Sequence, residues 1–382
     1  MDARDELRTA RATGSGPPER SAPELSIIIP TFNEQENIVA LHRAIQAALG
    51  DTAFELVFVD DDSTDRSREE IRALARHDLT VRLVHRIGRR GLATAVTEGM
   101  LSTTAPYLAV IDADLQHDER VLPDMLAVLK RGDADLVIGS RYMAGGGMGD
   151  WGKGRVRVSA FATRLAQLVT RTKVSDPMSG FFAITRPAFE NAVRDLSGQG
   201  YKILLDICAS ARQPMRIVEV PYEFRSRVAG ESKLDSLIVW EYFLLLVDKT
   251  IGHIVPARFV SFMMIGAFGI FVHMAILYGL VEYRALRFIW AQTAASVITM
   301  IFNFFVNNML TYRDRRLKGF WAMTRGLASF VAVCSFGAIA NIGIANFLFQ
   351  DRYVWWVAGL AGIAMGAVWN YAATSLFTWR QR

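Results

Sequence analysis

An α/β fold, with a mainly parallel sheet followed by interfacial helices and a four-helix transmembrane domain, is what this sequence predicts. Three observations carry that prediction. Between Leu25 and Ile138 short apolar runs alternate with segments of helical period. Three of those runs end in acidic or polar clusters. Beyond Pro256 four charge-free stretches follow one another, each at least about 20 residues long and so able to cross a hydrocarbon core as a helix.

In chain order, residues 1–22 are rich in Arg, Gly, Ser and Pro, hold no apolar run, and read as a disordered tail rather than a signal peptide. A first domain is expected over 23–234. Leu25–Ile29, Leu56–Val59, Val81–Val84, Leu108–Ile111 and Leu136–Ile138 read as buried strands. Ile38–Leu49, Ser67–Arg76, Leu92–Leu101 and Val121–Leu129 read as the helices between them. Such alternation implies a parallel sheet covered on both faces, whose ligands bind beyond the carboxyl ends of its strands. Polar clusters stand at those ends: Thr31-Phe-Asn-Glu34, Asp60-Asp-Asp-Ser63 and Asp112-Ala-Asp-Leu-Gln116.

The last cluster is the most telling. In an extended chain Asp112 and Asp114 face the same side. There they can hold Mg²⁺ or Mn²⁺, with Gln116 adding an amide oxygen and a substrate diphosphate supplying the other ligands. The competing account is a capped turn into the next helix, with Asp118 and Glu119 as N-terminal charges. No Gly-x-Gly-x-x-Gly follows the first strand, so a dinucleotide cofactor is not indicated.

Residues 235–256 are expected to form interfacial helices. Leu237–Val247 is too short and too punctuated by Glu241 to span a bilayer. The transmembrane domain is expected over 257–382, with spans at about 259–281, 288–312, 326–350 and 353–379. Arg313, Arg315, Arg316, Lys318 and Arg325 lie between the second and third spans, and Arg380 and Arg382 follow the fourth. Only Arg284, Arg287 and Arg352 lie in the opposite loops, so the first domain and the C-terminus are expected to be cytoplasmic. The net charge of +5 then points to anionic headgroups of the lipid bilayer, with no nucleic acid partner indicated. Cys208 and Cys334 offer neither a disulfide in a reducing cytoplasm nor a metal-thiolate spacing.

The membrane half also repeats itself. Asn303-Phe-Phe-Val-Asn-Asn-Met-Leu-Thr-Tyr-Arg313 matches Asn370-Tyr-Ala-Ala-Thr-Ser-Leu-Phe-Thr-Trp-Arg380 at an offset of 67, and Arg258 precedes Arg325 by the same interval. Two hairpins related by an axis along the membrane normal are expected. The asparagines of this half either bond helix to helix or line a headgroup path; packing is preferred.

Pro30-Thr-Phe-Asn-Glu34, Asp60-Asp-Asp-Ser-Thr-Asp65, Asp112-Ala-Asp-Leu-Gln116, Ser175-Asp-Pro-Met-Ser-Gly-Phe181 and Gly230-Glu-Ser-Lys233 occur in this order. Over Ser26 to Leu234 the chain therefore resembles inverting family-two glycosyltransferases of the dolichol-phosphate mannose synthase type. The membrane half is similar to GtrA-like domains. The resemblance implies a GT-A nucleotide-sugar fold and metal-dependent transfer of a hexose to dolichyl or polyprenyl phosphate. It places Pro30, Phe32 and Glu34 in the first nucleotide loop, Phe32 standing where the family commonly has Tyr. Val59 and Asp61 become base and ribose contacts. Asp112, Ala113, Asp114 and Gln116 form the metal and diphosphate site, and Arg141 becomes a diphosphate or sugar contact. Arg155 and Ser159 match the acceptor-phosphate pair, and Arg227 and Lys233 bracket a loop closing over donor and acceptor. Asp206 is given an orienting role.

A lipid phosphate is already anionic, so it needs positioning and charge relief rather than a general base. Arg155, Arg227 and Lys233 suit that task. GDP-mannose is the favoured donor, with UDP-glucose the alternative; a flippase role for the membrane half and homo-oligomerisation stay open. A processive polysaccharide synthase is disfavoured, because Gln213-Pro-Met-Arg216 is followed by Ile217 rather than Trp.

Overall fold

The computed structural model of the 382-residue chain describes residues 22–143, 174–198, 202–225, 236–252, 254–283, 287–350 and 355–379. The N-terminal tail expected over 1–22 lies almost wholly outside them.

The first half begins β1 (Leu25–Thr31), α1 (Ile38–Leu49), β2 (Phe54–Asp60), α2 (Ser67–His77), β3 (Val81–His85), α3 (Leu92–Leu101), β4 (Tyr107–Val110), α4 (Leu122–Lys130) and β5 (Leu136–Ser140). Each falls on a run or period read from the sequence. In α1, for example, Ile38, Leu41, Ile45 and Leu49 recur on one face and are buried. Alternate strand residues supply two cores. Ile27, Ile29, Leu56 and Phe58 pack with residues of α1 and α4 on one face of the sheet. Ile28, Val57 and Val59 pack with α3 on the other.

Two further strands complete the sheet, β6 (Phe182–Thr185) and β7 (Ile217–Pro221), with α5 (Arg186–Ala192) and α6 (Ile203–Ser210) between them. The order is β3-β2-β1-β4-β6-β5-β7. β1, β2, β3 and β4 pair in parallel, as do β5 and β7. β6 amends the expectation of a parallel sheet, because it runs antiparallel to both β4 and β5. Its direction has a consequence: Phe182 pairs with Val110, so the start of β6 lies beside the end of β4. The loop preceding β6 is thereby delivered to the rim where the acidic clusters stand. Gln213-Pro-Met-Arg216 leads into β7, with Arg216 ion-paired to Asp135 at 2.7 Å.

The expected interfacial segment is one helix, α7 (Ser236–Ile251), and the division between two compact units, Met1–Leu246 and Val247–Arg382, falls inside it. Tyr242 and Leu245 of α7 pack on Leu205 and Met178.

The second unit holds α8 (Ala257–Tyr278), α9 (Phe288–Met309), α10 (Phe320–Gln350) and α11 (Trp355–Phe377). Each expected span falls on one of them, α10 starting ahead of its expected bound. Among the described residues two stretches, Ala257–Glu282 and Phe320–Gly337, are long and apolar enough to cross a membrane. Phe268, Ile270, Phe271 and Met274 of α8 are exposed, as a lipid-facing helix requires.

The internal repeat is visible in side-chain contacts. Tyr312 and Trp379, equivalent at the offset of 67, stack on one another with centroids 4.1 Å apart and rings 6° from parallel. Contact between equivalent residues marks a local two-fold axis between the rings. The flanking bonds are reciprocal: Trp379 Nε1 donates to Asn308 Oδ1 at 3.0 Å, and the Tyr312 hydroxyl meets the Ser375 hydroxyl at 2.8 Å. Ser261–Thr311 and Ser329–Thr378 hydroxyl pairs likewise correspond. Gly269 and Gly337 correspond too, and a Cβ on either would collide with the amide of Asn303 or Asn370. The first helices of the two hairpins are therefore offset by 68 and the second by 67, so Arg258 corresponds to Gly326 rather than to Arg325. Asn307 bonds along its own helix, to Asn303 O and the Thr311 hydroxyl, whereas Asn308 reaches Leu317 O and Trp379, a contact between the two hairpins.

Candidate active site

β1, β2 and β4 end on one rim, and each is followed by a loop containing a single non-glycine residue of left-handed backbone: Asn33 at φ 55°, Asp62 at φ 59° and Leu115 at φ 60°. Such strain persists only where surrounding bonds hold it, and it concentrates at functional sites. The bonds are present. Asn33 N–H donates to Ser63 Oγ at 3.0 Å, and Thr64 N–H donates to Asn33 Oδ1 at 2.8 Å, stitching the first loop to the second. Glu34 accepts from Asn37 Nδ2 at 2.7 Å.

Asp61 joins three loops. Its N–H donates to Thr31 O at 2.9 Å, its Oδ2 accepts from Gly91 N–H at 2.6 Å, and its Oδ1 accepts from buried Arg86. Burial pushes its pKa up, against the pull of Gly91 and Arg86. Val59 corrects the sequence reading. Its side chain is wholly buried in the core and offers no surface to a nucleobase. Pro30 pairs with Val59, Thr31 closes the paired part of β1 opposite Asp60, and Phe32 lies under the Arg90 guanidinium.

The carboxylate pair needs a second correction. β4 ends at Val110, and Asp112-Ala113-Asp114 lies on the turn beyond it. Turn geometry, not strand alternation, therefore sets their directions. Asp114 is buried and accepts from Gln116 N–H at 3.2 Å, while the Asp112 side chain is 35% exposed. Ala113 is buried between them. Gln116 Nε2 donates to Arg225 O at 3.2 Å, and Arg225 forks onto Asp118 and Glu119 at 2.7 and 2.8 Å.

The loop ahead of β6 closes over this turn. A Cβ on Gly180 would stand 2.8 Å from Asp112 Oδ2, so a larger residue there would displace the Asp112 carboxylate. Behind it Asp176, with no exposed surface, accepts from Arg141 Nε and Nη2 at 2.7 and 2.9 Å. Arg141 also lies over Phe224, 5.4 Å from its ring centroid. Ser175 Oγ donates to Glu219 at 2.7 Å. Asp206 is buried and accepts from Ser197 N–H and Oγ at 2.9 and 2.7 Å. Arg155, Ser159, Arg227 and Lys233 lie outside the described residues.

Two hard carboxylates on a braced turn suit a divalent cation that draws its other ligands from a phosphate. Among the described residues no group of three or more His, Cys, Asp or Glu is arranged to hold a metal unaided. The donor set fits the shared arrangement, with substrate completing it.

Residues 26–192 match the family model described as glycosyl transferase family 2, and residues 261–379 that of the GtrA/DPMS transmembrane domain. A dolichol-phosphate mannosyltransferase of Pyrococcus furiosus is 33% identical over 360 residues, which cover 93% of this chain and 99% of that protein. The chain belongs to the dolichol-phosphate mannosyltransferase family. A Saccharomyces cerevisiae member is 37% identical over 59% of this chain and 86% of its own. Among solved structures, the glucosyl-3-phosphoglycerate synthase of Mycobacterium tuberculosis aligns with a TM-score of 0.45 and 22% identity, over 64% of this chain and 81% of that one.

Two residues of this mannosyltransferase-family site escaped sequence reasoning. Lys202, just ahead of α6, donates to Met178 O at 3.4 Å. Burial lowers its pKa, Arg141 adds repulsion, and Asp176 and Asp112 pull the other way. His117 is buried, stacked on Phe181 at 5.3 Å and edge-on to Tyr222 and Phe224. Its Nδ1 accepts from Asp112 N–H at 3.2 Å, so the neutral ring braces the turn. Neither residue belongs to an acidic cluster, and only the antiparallel entry of β6 brings Phe181 and Met178 to them.

Burial takes the His117 pKa from 6.5 down to about 4. Between those values the unfolded chain binds a proton that the folded chain refuses. Stability is therefore full above about pH 6.5 and falls as pH drops towards 4, by up to about 3 kcal/mol. Thermal midpoints in chelator at pH 7.5 and pH 5 check this: His117→Asn is expected to lose less on acidification than the natural chain, and equal losses would remove His117 from the account.

Proposed function

We propose that this chain is a membrane-bound polyprenyl-phosphate mannosyltransferase. It moves mannose from GDP-mannose to dolichyl or polyprenyl phosphate with inversion, giving a β-linked product. The observation that carries the reading is the Asp112–Asp114 turn, braced by His117 and Gly180 in a chain of this family.

The residues divide the work by charge. Asp112 and Asp114 would hold Mg²⁺ or Mn²⁺, which when bound neutralises the diphosphate of the leaving nucleotide. Gln116 spends its Nε2 on Arg225 O, while its Oε1 stays the expected third ligand. Pro30, Phe32, Glu34 and Asp61 line the nucleotide end of the rim. Arg141, kept cationic by Asp176, faces the sugar and diphosphate end. Arg155, Ser159, Arg227 and Lys233 receive the acceptor phosphate, whose charge removes the need for a general base. Asp206 is occupied by Ser197 and Ser210 hydrogen bonds, which agrees with transfer that uses no base there.

The four helices α8–α11 cross the bilayer with the catalytic domain and C-terminus cytoplasmic, and α7 lies along the cytoplasmic leaflet with Phe243 and Ile251 exposed.

Incubation of the full chain in membranes with polyprenyl phosphate and radiolabelled GDP-mannose tests the proposal. Label is expected in solvent-extractable, mild-acid-labile lipid. Label incorporated only from UDP-glucose, or found only in polymer, would overturn the donor or the acceptor respectively.

A further inference from the structure

The segment from Arg86 to Gly91, between β3 and α3, is tied down along its length. Arg86 bonds to Asp61, Gly88 N–H donates to Asp62 Oδ2 at 3.2 Å, Arg89 forks onto Glu98 at 2.6 and 3.0 Å, and Gly91 N–H donates to Asp61 Oδ2 at 2.6 Å. Arg90 differs from these neighbours. Among the described residues its guanidinium has no hydrogen bond and no carboxylate, and it lies 4.2 Å over the centroid of the Phe32 ring.

That placement is specific in three ways. Its backbone is held by Gly91, one residue on, through Asp61. Phe32 directly follows β1, so the stack stands beyond the carboxyl ends of β1 and β2, where nucleotides of such sheets dock. A guanidinium held over a ring by its charge, rather than through a hydrogen bond, leaves its N–H groups for a ligand. Guanine offers two adjacent acceptors, O6 and N7, that such a fork meets in a bidentate pair. Uracil offers O4 beside an N3–H donor, which presents no matching pair of acceptors.

We propose that Arg90, steadied by the Phe32 ring, is the residue that selects a guanine nucleotide at this rim. The inference rests on the reading of the rim as the donor-nucleotide site. It assigns base choice to the β3–α3 segment rather than to Asp61, both of whose carboxylate oxygens are engaged, or to Val59, whose side chain is buried.

Calorimetric titration of the purified full chain with GDP and with UDP, each with Mn²⁺, tests it. Arg90→Ala is expected to weaken GDP binding about tenfold and to change UDP binding by less than about twofold. Arg90→Lys, which keeps the charge but not the fork, is expected to behave like Arg90→Ala. Phe32→Tyr keeps the ring and should retain GDP affinity, whereas Phe32→Leu should lose it in the same direction as Arg90→Ala. Equal losses for GDP and UDP, an unchanged GDP affinity, or full rescue by lysine would each overturn base selection by Arg90. If the natural chain binds neither nucleotide, the donor-site reading itself fails, which is a separate result. Arg90 is exposed, so unaltered thermal midpoints are expected for its variants.

Discussion

Asp114→Asn is expected to reduce mannosyl transfer at least about 100-fold while the chain still folds and inserts. The substitution is nearly isosteric. Asparagine Oδ1 can still accept the Gln116 N–H, so the turn carrying the left-handed Leu115 keeps its main-chain bond. What disappears is one negative charge at a buried position, and with it half of the carboxylate pair. Manganese binding, read by electron paramagnetic resonance without any substrate, should fall with it. Asp112→Asn is expected to act in the same direction; its side chain is more exposed, and His117 holds its main chain rather than its carboxylate. An Asp114→Asn enzyme that kept full transfer in chelator would remove the cation from the reaction. One that lost transfer but bound manganese normally would shift the role of Asp114 from cation to sugar.

How far the site was legible follows from how each part is encoded. Strands β1 to β5 stood out because a buried parallel strand must be apolar on both faces, and the helices between them carry a period of their own. The acidic clusters were legible as clusters because each directly follows an apolar run. β6 and β7 were not legible: a four-residue run such as Phe182–Thr185 fits a strand or the start of a helix equally well. Missing β6 meant missing its direction, and direction is what brings Gly180 and Phe181 against Asp112 and His117. Val59 was misassigned for a related reason. Position relative to the strand end is visible in a sequence, but which face a residue occupies depends on pairing. The repeat of the membrane half was legible in its second helices, where Asn, Thr and an aromatic recur. It was misaligned in the first helices, where only Arg258 and Arg325 guided the comparison and the serine and glycine contacts were out of sight.

Asp176→Ala is expected to cost about 3–5 kcal/mol of stability. Asp176 has no exposed surface, and the Arg141 side chain is only 10% exposed, so the pair sits where water cannot take over from a lost partner. The bond is bidentate, through Nε and Nη2, and alanine would leave the buried guanidinium without that fork. Asp176 also begins the turn that leads to Gly180, its carbonyl accepting from Ser179 N–H at 3.3 Å. Loss of stability and loss of transfer should therefore come together. A double variant separates them. Asp176→Leu with Arg141→Met removes both charges, and apolar replacement of a buried pair is often neutral, so most of the stability should return. Transfer should not return, because the guanidinium proposed to meet the diphosphate is gone. Denaturation midpoints of the full chain in detergent, set beside transfer rates for both variants, measure the two effects. A double variant as active as the natural chain would reduce Arg141 to a structural residue, and a single variant of undiminished stability would mean that the pair does not hold the loop.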